Sequence, residues 1–175
     1  MTDKSTASVV AGKAELLSEE TRRQIDHWVS KFPETPEGRR SAIIQALVAA
    51  QEQNGGWVSA DLMDGVADYL QVPPVWVYEV ATFYSAIETE PVGRHSISVC
   101  TNISCMLCGS DEIVDHIEKK LEIRSGETTA DGRIFLKREE ECLAGCVGAP
   151  MMLVDGQYHE KLTPEKVDEI LDGLE

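Results

Sequence analysis

The chain has 175 residues, 42 % of them hydrophobic, with 31 acidic side chains against 16 basic ones and a net charge of −15. That length holds one ordinary domain or two small ones, and no stretch approaches the roughly 20 continuous apolar residues of a membrane-spanning helix. The negative charge argues against nucleic acid and anionic membrane as partners, because both carry the same sign. It reads as a solvated, repulsive surface, or as a docking face for a basic partner.

Met1 to Val10 is polar and lacks the basic–apolar–small order of a secretory signal. The first arginine is Arg22, with Asp3 before it, unlike a mitochondrial presequence. The expected location is therefore the cytoplasm, and the first residues, through about Glu15, are expected to be a flexible terminus. Helical patterns follow. Ser18 and the acidic Glu19 and Glu20 open one, with Ile25, Trp28, Val29 and Phe32 as its apolar stripe and Pro33 and Pro36 closing it. Glu37 to Gln53 is the next, with Ile43, Ile44, Leu47 and Val48 on one face, stopped by Asn54-Gly55-Gly56. Ser59 caps a third, bearing Leu62, Val66, Tyr69 and Leu70. Pro73-Pro74 opens a fourth that runs to about Tyr84. Residues 16–90 thus predict a small helical bundle.

The second half, 91–175, changes character. Ser96 to Val99 alternates like a strand and runs into Cys100. Ser110 to about Ile123 predicts a helix, Gly126 to Gly132 a turn region, and Ile134–Leu136 and Met151–Val154 two strands. Asp155-Gly156 before Tyr158 is a hairpin signal. Thr163-Pro164 caps a last helix with Val167, Ile170, Leu171 and Leu174 inward. The order strand, helix, strand, strand, helix is that of a small α/β layer.

Five cysteines, with no secretory signal expected, leave metal, redox chemistry or plain burial as explanations rather than a disulfide framework. Cys100 and Cys105 have four residues between them, Cys142 and Cys146 have three, and 36 residues separate the pairs. Each pair is expected on a loop after a strand, and loops at the carboxyl ends of strands meet at one edge of an α/β layer. Four converging thiolates suit an iron–sulfur cluster or structural zinc. Zinc usually takes two-residue knuckles, whereas the four-residue gap is like the start of the plant-type ferredoxin pattern. In a binuclear cluster one pair serves each iron. Gly145 and Gly148 are expected to bring backbone N–H groups toward the sulfurs, and Asn102 and Ser104 to add side-chain donors. Cys105-Met-Leu-Cys108 also reads as a dithiol motif at a helix start, which would make the chain a thiol–disulfide oxidoreductase. That reading leaves Cys100, Cys142 and Cys146 unexplained, so Cys108 is expected to be a non-ligand. A zinc-stapled interaction module is the third class.

From about Leu16 to the end, the chain resembles the family of the E-type subunit of NADH–quinone oxidoreductase (respiratory complex I). The matching segments are Gln53–Trp57, Glu79–Tyr84, Pro91–His95, Cys100–Cys105, Gly126–Gly132, Glu141-Cys142 and Ala149-Pro150. The resemblance implies an α+β chain, a helical bundle followed by a thioredoxin-like [2Fe–2S] ferredoxin domain, with Cys100, Cys105, Cys142 and Cys146 as ligands of one cluster. It implies a flavin-carrying partner, the F-type subunit, that holds FMN and the NADH site. It also implies a place in the peripheral arm at the inner face of the cell membrane, without membrane insertion. The small subunits of NAD-linked hydrogenases and formate dehydrogenases are the alternative within the same family. One departure is visible: the family usually has Cys-Leu-Gly, a small residue, then Cys, and here the order is Cys142-Leu-Ala-Gly-Cys146.

No Gly-x-Gly-x-x-Gly and no P-loop occurs in the chain, so the expected role is that of an electron carrier without an NADH or flavin site of its own. The run Glu139-Glu-Glu141 beside Cys142 is expected to lower the potential of the cluster. Trp57, Trp76 and Phe83 are candidate docking aromatics, and His27, His95, His116 and His159 are expected to be structural or solvent-facing.

Overall fold

A computed structural model describes residues 12–138 and 142–175. The chain divides into two compact units, Met1–Pro91 and Val92–Glu175. The run Glu139–Glu141 and the first eleven residues lie outside the described residues.

The first unit contains α1 (Glu19–Val29), α2 (Pro36–Ser41), α3 (Ile43–Gln53), α4 (Ala60–Leu70) and α5 (Pro74–Phe83). Local signals fix the helix starts. Ser18 Oγ accepts the Thr21 N–H at 3.1 Å, and Ser59 Oγ accepts the Leu62 N–H at 3.2 Å. Each such cap satisfies a donor that the helix itself leaves unpaired. Ile25, Ile43, Ala46, Leu47, Ala50, Val58, Val66 and Val77 are fully buried in one apolar core. Burying each larger aliphatic side chain contributes about 1.5–3 kcal/mol.

Two expectations change here. The helix read as Glu37–Gln53 is two helices, because the ladder steps at Ala42 (φ −84°, ψ −7°), whose N–H turns to Arg39 and Arg40. No apolar side chain of Glu37–Ser41 joins the core, so nothing holds that turn in line with α3. Lys13 to Glu15, assigned above to the flexible terminus, lie instead in a 3-10 turn, Lys13–Leu16. Asp68, nearly buried on α4, accepts the N–H groups of Gly12 (3.0 Å) and Ala14 (2.9 Å). Lys13 Nζ reaches both Asp61 and Asp64 at 2.7 Å. A Cβ on Gly65 would lie 2.8 Å from the Lys13 carbonyl oxygen, so only glycine admits this turn.

The second unit contains β1 (His95–Val99), α6 (Ile103–Leu107), α7 (Ser110–Leu121), β2 (Ile134–Leu136), β3 (Met152–Val154), β4 (Gln157–His159) and α8 (Pro164–Asp172). The sheet order is β2-β1-β3-β4. β1 runs parallel to β2, with His95 opposite Ile134 and Ile97 opposite Leu136. β1 runs antiparallel to β3, with Val99 opposite Met152. Asp155 (φ 49°) and Gly156 (φ 78°) supply the left-handed pair that a tight β3–β4 hairpin needs. Ile113 and Ile117 of α7 and Val167 and Leu171 of α8 cover the buried side chains Ile97, Ile134, Leu136 and Met152. The register places the ends of β1 and β2 and the start of β3 at one edge of the sheet. Both cysteine segments leave from that edge.

Candidate metal centre

Cys100 is the first residue past β1, and its N–H donates to the Met151 carbonyl at 3.0 Å, one step beyond the β1–β3 register. Cys105 lies on α6, not on the loop the sequence suggests. Five residues are too few to show a helical period, although Asn102 sits at the N-cap position. Both cysteines are almost fully buried, in a small apolar cluster with Leu143 and Met151. Cys142 and Cys146 are exposed, the latter opening a 3-10 turn, Cys146–Gly148. The Ala149–Pro150 bond that leads back into β3 is cis.

The electrostatics of the buried pair are asymmetric. Burial opposes ionisation of Cys100, but the N–H groups of Leu143 and Asn102, the Cys105 thiol and the Asn102 side chain outweigh it, so its thiol sits below the ordinary value. Burial, and then the bond to Cys100, push Cys105 up to about 11, against the pull of the Met151 N–H; Cys146 is near enough to add to the upward push. Ionising Cys100 thus makes it harder to ionise Cys105, because two thiolates in contact repel. Without a cation, only one of the pair ionises readily.

The structure therefore pairs Cys100 with Cys105 and sets Cys146 near enough to act on Cys105 by charge, while Cys142 is exposed next to the buried Leu143. Among the described residues, no three His, Cys, Asp or Glu side chains converge on one point that holds a single metal ion. The backbone N–H groups of Leu143, Asn102 and Met151 that face sulfur are the donors an anionic thiolate-bound group requires. The residues present fit such a group. Cys108 is exposed at the C-cap of α6, and the partner of Cys105 is Cys100.

Two loop glycines have roles that differ from those expected. The Gly148 N–H donates to the Gly145 carbonyl at 2.8 Å, and so is committed to the turn. Gly145 has an ordinary φ of −107°; its lack of a Cβ matters because a methyl there would lie 2.6 Å from the Met151 Sδ and Cε. The left-handed residue of this loop is Ala144, at φ 56°. Met151 was not singled out from the sequence. Its part in the site is played mainly by its main chain, which no side-chain pattern advertises.

His95 bonds Asp155 and the Glu175 carbonyl, and His116 bonds Asp168. Trp76 packs on the core of the first unit under the Arg40 guanidinium, 4.7 Å from its ring centroid, and Phe83 is 79 % exposed.

The family described as thioredoxin-like [2Fe-2S] ferredoxin matches residues 25–175. The E-type subunit of the NADH-quinone oxidoreductase of Rickettsia bellii is 45 % identical over 146 residues, covering 83 % of this chain and 86 % of the relative. The second E-type subunit of the NADH-quinone oxidoreductase of Rhizobium meliloti is 43 % identical over 153 residues, covering 87 % and 88 %. Among solved structures, an NAD+-reducing [NiFe]-hydrogenase in the air-oxidized state shares the fold, with a TM-score of 0.59 and 21 % identity over 77 % of this chain. The chain spans 22 % of that hydrogenase chain.

Proposed function

This chain belongs to the thioredoxin-like [2Fe-2S] ferredoxin family that includes the E-type subunit of NADH–quinone oxidoreductase, and from that membership we propose that it is the electron-transfer subunit of an NADH dehydrogenase module, with Cys100, Cys105, Cys142 and Cys146 holding one [2Fe–2S] cluster. Bound there, the cluster would supply one-electron redox chemistry, exchanging single electrons with the FMN of a flavin-carrying partner, the F-type subunit. FMN and NADH would bind on that partner and not on this chain. The assembly would be peripheral, at the inner face of the cell membrane, and no helix of the described residues is long and apolar enough to cross a membrane.

The observation that carries the reading is the pairing of the Cys100 and Cys105 sulfurs at the carboxyl edge of β1, with backbone N–H donors aimed at both. The residues of this chain would orient and partly bury the group. α6 and Leu143 shield one side, and the exposed Cys142 and Cys146 face out. The relatives at 43–45 % identity favour complex I over a hydrogenase as the assembly. The exposed Phe83 at the end of α5 is proposed as a docking contact for the partner.

Serine variants test the ligand set. Cys100→Ser, Cys105→Ser, Cys142→Ser and Cys146→Ser should each lose or strongly perturb the visible and EPR spectra of the anaerobically reconstituted protein. Cys108→Ser should leave them unchanged. A wild-type spectrum in any of the first four variants, or its loss in the last, would contradict the assignment.

A further inference from the structure

We propose that Met151 is a positioning residue for the cluster ligands: its main chain fixes Cys100 and Cys105, and its thioether, seated against Gly145, sets the position of Cys146. The proposal rests on the four-cysteine reading above. Met151 is 1 % exposed and sits between the two cysteine-bearing segments. Its carbonyl accepts the Cys100 N–H at 3.0 Å. Its own N–H faces the Cys105 sulfur. Its Sδ and Cε fill the place where a side chain on Gly145 would begin. Gly145 directly precedes Cys146, and its carbonyl anchors the turn through the Gly148 N–H. One residue thus touches both segments whose sulfurs must be held in register.

The contact with Gly145 is one of volume. At φ −107° any residue is allowed, so glycine is required there by space and not by backbone conformation. The end of a methionine is flexible and commonly yields to an added methyl. Here it is enclosed with Cys100, Cys105 and Leu143. A methyl on Gly145 therefore drives the thioether toward the sulfurs or lifts Cys146 away from them.

The full-length chain is reconstituted anaerobically with ferrous iron and sulfide as wild type, Gly145→Ala, Met151→Ala and the double variant. Iron loss to a chelator, the EPR g values of the reduced protein and the far-ultraviolet circular dichroism are compared. Gly145→Ala is expected to speed iron loss about tenfold, in keeping with overpacking a filled site, and to shift the g values with the dichroism unchanged. The double variant is expected to lose iron more slowly than either single one, because removing the thioether makes room for the methyl. A wild-type rate in Gly145→Ala, or purely additive effects in the double variant, would overturn the proposal. If Gly145→Ala does not fold, Met151→Leu, similar in volume but branched, takes its place. Shifted g values with unchanged dichroism then support the proposal, and an unaltered spectrum overturns it. Wild-type protein that takes up neither iron nor sulfide would remove the four-cysteine reading itself, and is read from the wild-type sample alone.

Discussion

Ala144 holds a left-handed conformation, φ 56°, between two cysteines of the candidate centre. For a residue with a Cβ this costs about 1–2 kcal/mol. The family pattern places glycine at this position, and the sequence shows the departure without its consequence. The displaced glycine at 145 has a separate duty against Met151. Ala144→Gly should therefore stabilise the protein. Relief of strain exceeds the roughly 0.5–1 kcal/mol that a new glycine costs through unfolded-state entropy, leaving a net gain of up to about 1 kcal/mol. Urea unfolding of the two proteins side by side checks this, and a destabilised variant would mean that the loop tolerates Ala144 for another reason. His95 offers a second prediction. Its two ring nitrogens face acceptors, the Asp155 carboxylate at 2.6 Å and the Glu175 carbonyl at 2.9 Å, an arrangement that favours the protonated ring. Asp155 first, and then the carbonyl, raise its pKa above the ordinary 6.5. The resulting stabilisation is complete below the unfolded value and is lost as pH rises through the higher folded one. The stability gap between wild type and His95→Gln should thus be widest near pH 6 and narrow toward pH 9, as measured by urea unfolding across that range. A gap that widens with pH would contradict the assignment.

At the scale of elements, the reading from sequence succeeds where a cap and a period coincide. Ser18, Ser59 and Thr163 each accept the N–H they were expected to cap, and Asp155-Gly156 forms the hairpin. The period fails where tertiary contacts decide. The step at Ala42 follows from a first turn with nothing to bury, and the order of Lys13–Leu16 comes from carboxylates about fifty residues away. α6 escapes because five residues carry no period. The cysteine spacing was legible, whereas the N–H donors of Leu143 and Met151 are backbone groups placed only by the fold. Asp68 sets the element-scale prediction. Its carboxylate accepts two N–H groups of the N-terminal turn, and removing it leaves both unpaired. Asp68→Ala should cost about 1–3 kcal/mol and release protection from hydrogen exchange at Gly12 and Ala14 while sparing β1. Unchanged protection at those two amides would show that Lys13 and its aspartates hold the turn by themselves.

For the whole molecule, the two units divide the labour in the proposed account. Val92–Glu175 carries all five cysteines, and Met1–Pro91 carries α5, which exposes Val75 and Phe83 and is followed directly by the exposed Tyr84. Large apolar side chains exposed side by side mark a surface that a partner covers. Because Phe83 is so exposed, Phe83→Ala should change stability by no more than about 0.5 kcal/mol yet weaken binding to the flavin-carrying partner by more than about 1 kcal/mol, or fivefold. Titration of the partner by calorimetry decides this, and undiminished affinity would move the interface elsewhere. The most direct test of the central claim is made on the chain alone. Protein purified without oxygen is assayed for iron and acid-labile sulfide, and its EPR spectrum is recorded after reduction with dithionite. The account predicts about two irons and two sulfides per chain, as its binuclear cluster requires, with the signal of a reduced binuclear centre. Zinc without sulfide, or no metal and a titratable Cys105–Cys108 disulfide, would contradict it.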